Sequence, residues 1–162
     1  MISDLVDIAR KEIGTQEDPQ HQNTGSSIKK YQDADNLPGQ GYPWCASFVD
    51  WCIEQYDQIN PVGIPLPKSA AAFDLIKWGA NNGLPLLDSS PLPGDIVVYT
   101  FSHCGIVSSV EGNGFHAIEG NTNSQGGRDG YEVAERARTY KPVMKFIRLP
   151  EKEGTNEHTA NT

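Results

Sequence analysis

Cys45 follows directly on a Tyr-Pro-Trp turn in GYPWCASFVDWC, residues 41–52, and an amphipathic run begins at that thiol. A thiolate at a helix start meets unpaired backbone N–H groups, which stabilise an exposed anion by ~0.3–1 kcal/mol and a partly buried one by more. A cysteine nucleophile also needs a base to take its proton or pair with its thiolate, and a further group to orient that base. Four histidines are present, of which His158 lies in a polar C-terminal stretch and His21 in a polar loop. His103 opens SHCGIV directly after DIVVYTF, and His116 begins FHAIEG, whose end supplies Glu119 and Asn121. Cys45, His103 and Glu119 therefore fit nucleophile, base and orienting group, provided that the strands pack on the helix start. His116 is the competing base. Strand alternation puts His116, Ile118 and Gly120 on one face and Ala117, Glu119 and Asn121 on the other, so His116 points away if Glu119 orients the imidazole. The same alternation separates His103 from Cys104.

Each of these residues also has a plainer reading. A cysteine on an amphipathic helix is usually core packing, and Cys52 and Cys104 keep that reading. Trp44, Trp51 and Trp78 read as core or groove aromatics. Asp33 and Asp35 look like an exposed loop pair rather than a metal site. Cys45 and Cys52 lie two helical turns apart, ~10 Å, which is too far for a disulfide. With three cysteines and no C-x-x-C, neither a disulfide framework nor a structural zinc site is expected.

The elements that must position these groups can be read from periodicity. Residues 4–13 carry Leu5, Ile8, Ala9 and Ile13 at helical spacing, with Ser3 as N-cap and Gly14 as the stop. SSIKKYQDA predicts a short second helix, Cys45 opens a third, and Ser69 caps a fourth that Gly83 ends. Short β-rich runs follow at 95–100, 105–110, 115–120 and 144–149, with a weaker candidate at 131–140. Helices first and an antiparallel sheet afterwards predict one α+β domain over residues 1–150, with 151–162 as a disordered tail.

Composition narrows the function. The 162 residues carry 21 acidic and 13 basic side chains, a net charge of −8, which disfavours nucleic acid and anionic membranes. Mean hydropathy is −0.50, and no apolar run approaches the ~20 residues that span a bilayer. The start MISDLVDIARKEIG has acidic residues within an amphipathic pattern and does not read as a secretory signal.

GYPWCASFVDWC, PLPGDIVVYTFSHCGIVSSV and FHAIEGNTN, in that order, resemble the CHAP-type amidohydrolase/peptidase family, a papain-like relative of the NlpC/P60 peptidoglycan hydrolases. The resemblance implies a papain-like fold with N-terminal helices on an antiparallel sheet. It also implies Cys45 as nucleophile, His103 as base, Glu119 as orienting residue and Asn121 as a further polar partner. Tyr42 and Trp44 are expected to line the groove. Cys104 stands where relatives usually carry a small aliphatic residue. Some relatives hold Ca²⁺ in an acidic loop before the nucleophile; here only Asp33 and Asp35 lie there, at an offset that does not match, so no cofactor is expected and calcium stays possible but unsupported. The implied activity is cleavage of an amide in peptidoglycan, by an endopeptidase or N-acetylmuramoyl-L-alanine amidase. The setting would be a phage endolysin released through a holin, or an exported antibacterial effector with an immunity protein. Either would be made in the cytoplasm and act in the periplasm or cell wall. The alternatives are a silent CHAP-like module binding peptidoglycan or protein, and a papain-like protease or acyltransferase acting on a protein.

Overall fold

The computed structural model describes residues 2–123 and 129–151. Four helices come first, α1 (Ile2–Arg10), α2 (Ser26–Ala34), α3 (Cys45–Ile59) and α4 (Asp74–Asn81). Six strands follow: β1 (Leu86–Leu87), β2 (Ile96–Tyr99), β3 (His103–Glu111), β4 (Gly114–Thr122), β5 (Glu132–Thr139) and β6 (Val143–Ile147). They form one antiparallel sheet in the order β1-β6-β2-β3-β4-β5. This is the α+β architecture that the segregation of helical and β-rich runs predicts.

Local chemistry explains where the boundaries differ from expectation. α1 begins at Ile2, so Ser3 lies inside it rather than capping it. The chain leaves α1 after Arg10 through tight turns, in which Glu12 and Ile13 donate to the carbonyls of Ala9 and Arg10. Gly14, at φ 97°, then donates its N–H to Val133 of β5. Ser69 does not cap α4 directly: its hydroxyl accepts from Ala71 N–H and donates to Asp74, so it closes the turn that precedes the helix. The weak candidate at 131–140 is a full strand along the length of β4. β1, hidden in a proline-rich loop, is a two-residue partner of β6. Apart from Glu151, the expected tail lies outside the described residues.

Alternation along the strands divides the interior. Val98, Cys104, Ile106 and Ile118 face the helices and pack with Leu5, Ile28, Phe48 and Ile53. Val97, Tyr99, Val107, Phe115, Ala117 and Phe146 form a second buried cluster. Each such aliphatic or aromatic side chain contributes ~1.5–3 kcal/mol by leaving water. β3 begins at His103, paired with Tyr99 at the end of β2, and α3 packs across β3 and β4. The first turn of α3 therefore sits beside the start of β3.

Candidate active site

Trp44 anchors the start of α3. It is fully buried and stacked on Tyr31, with ring centroids 5.5 Å apart. Its indole N–H donates to Glu17 Oε2 at 2.8 Å, while Glu17 Oε1 accepts from the backbone N–H groups of Gln22 and Asn23. The ring lies so close to β4 that a Cβ at Gly120 would come within 2.8 Å of it and 2.7 Å of Phe48 Cβ. This corrects the expectation that Trp44 lines the groove: a side chain with no exposed surface anchors the start of α3 at Cys45 instead. Tyr42 is half-buried, and its hydroxyl donates to the Pro38 carbonyl.

Cys45 is 4% exposed, and His103 and Glu119 are both fully buried. His103 Nε2 lies 3.0 Å from Glu119 Oε1. With Nε2 committed to Glu119, Nδ1 has no partner in bonding geometry, which leaves it as the ring nitrogen that can serve the Cys45 thiol. Gly105 makes room for the carboxylate, because a Cβ there would approach Glu119 Cγ to 2.6 Å. The glycines of H-x-G and E-G-N are thus required by close approach.

The electrostatics follow from these contacts. Cys45 is held well below the usual thiol range by the neighbouring Cys104 thiol and by the neighbouring His103 imidazole, against the opposing effect of burial. The Ala46 N–H, in the first turn of α3, adds to this. Burial disfavours a charged His103, but Cys45 and Glu119 outweigh it and push the imidazole up to about 9. Burial likewise works against ionised Glu119, yet the bonds from His103 and Arg138 hold its carboxyl below the usual range. The arrangement supports a thiolate–imidazolium pair steadied by a carboxylate.

Several residues stand differently from their sequence reading. Cys104 lies on the helix side of the sheet, opposite in strand sense to His103, but it neighbours Cys45 because the first turn of α3 sits beside the strand's beginning. Asn121 is buried with both amide atoms unpaired, and its φ of 53° falls at a register shift between Glu119 and Thr122. Alternation therefore stops at this bulge, and it no longer assigns Asn121 to the face of Glu119. His116 bonds Ser109 and pairs with Glu111, on the strands leading away from Cys45. Sequence reasoning missed Tyr99 and Arg138, which both bond Glu119, and Phe101, stacked on His103 at 5.7 Å. The run YTFSH holds two of these just before the histidine, while Arg138 belongs to the weakest predicted strand.

The acidic loop does not fit calcium. Asp33 is turned outward to Lys29, whereas Asp35 is buried and accepts from Ser47 at 2.6 Å, correcting its reading as an exposed loop residue. Among the described residues no three His, Cys, Asp or Glu side chains gather as ligands, and calcium takes 6–8 oxygens. A cavity of about 470 Å³ opens around Asp95 and Arg148, at the opposite end of β2 from Tyr99, and none of Cys45, His103 or Glu119 lines it.

No curated protein matches the chain. Among solved structures, the crystal structure of Ly7917 superposes with a TM-score of 0.54 at 16% identity, which is a likeness of fold. The alignment covers 93% of this chain and 62% of that one. The profile of the CHAP domain matches residues 37–121, which span more than half of the sequence and include Cys45, His103, Glu119 and Asn121. The chain belongs to the CHAP domain family.

Proposed function

We propose that the chain is a cysteine hydrolase that cleaves an amide bond in peptidoglycan, either within the stem peptide or at its sugar linkage. The observation that carries this reading is the buried line Cys45–His103–Glu119, in which the thiol is shifted toward thiolate and the imidazole toward imidazolium. Family membership supports a peptidoglycan-hydrolase type of activity.

The Cys45 thiolate attacks the amide carbonyl carbon, and the negative charge moves to the carbonyl oxygen. The Cys45 backbone N–H, at the first position of α3, is placed to donate to that oxygen. His103 gives its proton to the departing amine, the C–N bond breaks and a thioester remains. His103, now neutral, takes a proton from water; hydroxide attacks the thioester and releases the acid and the Cys45 thiolate. Glu119 acts through His103 by holding the ring with Nδ1 toward the thiol. Tyr42 and Phe101, both partly exposed, line the approach. The protein would act in the periplasm or cell wall, as an endolysin or an exported effector. An immunity protein would cover the opening to Cys45.

The test is digestion of purified sacculi by the wild type and by Cys45→Ala, with released fragments identified by mass spectrometry. New muropeptides from the wild type alone are expected, and their termini name the bond. A folded wild type that releases nothing from several wall chemotypes, with and without Ca²⁺, would overturn the reading in favour of a binding module or a protein substrate.

A further inference from the structure

Glu119 is fully buried and ringed by donors from three strands. Oε2 accepts from the Tyr99 hydroxyl at 2.7 Å and from Arg138 Nε at 2.9 Å. Oε1 accepts from His103 Nε2 at 3.0 Å and from an Arg138 terminal nitrogen. Arg138 thus grips the carboxylate with both prongs of its guanidinium, a geometry that lysine cannot reproduce. Its side chain is 12% exposed, and its guanidinium carbon lies 4.8 Å from the centre of the Tyr99 ring and 5.5 Å from that of Phe101.

We infer that Arg138 is a positioning residue for the reaction at Cys45, keeping Glu119 ionised so that the proton they share stays on His103. The charged and titratable groups around this carboxylate are His103 on β3, Tyr99 on β2 and Arg138 on β5, with Cys104 on β3 and Cys45 on α3 beyond the imidazole. Thiolate, imidazolium, carboxylate and guanidinium alternate in sign and sum to zero. Without the guanidinium, the buried set would carry a net negative charge. Relief comes from uptake of one proton from solvent: the His103 proton passes to Glu119, since a neutral acid–imidazole pair costs less in a water-poor site than an ionic one, and the incoming proton goes to Cys45. The Cys45 thiolate then loses its counter-charge and rises toward an ordinary thiol.

The inference rests on the nucleophile–base reading above, but its test needs no peptidoglycan. Iodoacetamide alkylation of Cys45, located by peptide mass, is followed across pH for the wild type, Arg138→Gln and Arg138→Lys. The acid limb of Arg138→Gln is expected to move up, lowering the rate at about pH 6 by roughly tenfold or more and converging with the wild type at about pH 9.5. Arg138→Lys, which keeps the charge but not the fork, is expected to stay within roughly threefold of the wild type at the same low pH. If both variants lose rate equally at every pH, Arg138 is only a packing residue and the inference fails. Should Arg138→Gln not fold, Arg138→Met, which removes the charge but keeps an apolar side chain beside Tyr99 and Phe101, is followed in its place. A rise of its acid limb supports the inference and an unmoved limb overturns it. Absence of muropeptide release alongside a shifted limb would remove the substrate while leaving this role intact.

Discussion

Helix α3 carries two thiols, each with a buried carboxyl group in its neighbourhood, and the two regions behave in opposite ways. At its first residue, Cys45 is held well below the usual thiol range, and Glu119 beyond the imidazole is held below the usual carboxyl range. Two turns further on, burial pushes the Cys52 thiol well up, and burial together with the facing Asp35 pushes Asp50 well up. Cys45 and Asp50 are almost completely buried and Cys52 and Glu119 completely so; loss of water therefore cannot account for the difference. Glu119 accepts from Tyr99, His103 and Arg138, whereas neither oxygen of Asp50 receives a side-chain donor. A buried group ionises when the protein supplies donors and an opposite charge, and stays neutral when it meets its own kind.

The largest effect that would break this contrast is at the thiols themselves. Cys45→Ala is expected to lower muropeptide release by at least about a thousandfold, as loss of a nucleophile does. Cys52→Ala is expected to leave the rate within about twofold, at a stability cost of about 1 kcal/mol for the lost packing. Turnover assays paired with denaturant melts separate the two. Equal losses of activity would show that the whole helix, rather than its first residue, determines function.

Next come the carboxyls. Glu119→Gln is expected to cut turnover by roughly a hundred- to ten-thousandfold, by analogy with other triads. It should also destabilise the fold by about 3–5 kcal/mol, because it neutralises one member of a buried ion pair. Asp50→Asn is expected to leave turnover unchanged. The folded-state pKa of Asp50 is raised, so its contribution is fully present below the unfolded value near ~4 and is lost as pH rises through the folded one. The variant should therefore be more stable than the wild type at about pH 8, by about 1–3 kcal/mol, with the advantage vanishing near about pH 4. Urea melts at the two pH values check this.

The contrast between the two regions also shows what the sequence could reveal. Cys45, His103 and Glu119 were legible because turn, helix start and strand alternation each constrain a residue type at a short range. α2 and the start of α3 were legible for the same reason. Asp35 and Trp44 were not, since their environments depend on Ser47, Asp50, Glu17 and Gly120, brought together only by tertiary packing. Arg138 was hidden by an imperfect alternation in β5, where its charge is placed by Glu119 on the neighbouring strand rather than by the pattern of its own. Alternation does not assign Asn121 to a face, because a bulge at a left-handed residue cannot be counted by a period of two.

A smaller effect separates the two jobs of the ion pair. The imidazole of His103 is pushed up to about 9, so in the proposed reaction it holds a proton for the leaving amine only below that pH. Hydrolysis is expected to fall as pH rises through about 9, while alkylation of Cys45, which needs only the thiolate, should persist above it. Parallel profiles of the two rates are the check. Coincident alkaline limbs would mean that His103 does not act as the acid.

The smallest expected effect lies at Cys104, where the two kinds of environment touch. Its own thiol is pushed well up by burial and by the neighbouring Cys45, so it keeps its proton while Cys45 loses one. The retained S–H can then donate to the thiolate, although a thiol is a weak donor beside an imidazolium. Cys104→Val removes that donor while filling nearly the same space. It is expected to slow Cys45 alkylation at about pH 6 by roughly threefold and to leave the melting temperature nearly unchanged. Cys104→Ser supplies a stronger donor and should keep the low-pH rate near that of the wild type, at some cost in stability for a hydroxyl among Ile106 and Ile118. Serine retaining the rate where valine loses it would identify the donated hydrogen as the cause; equal rates in all three would assign the thiolate to His103 and the helix start alone.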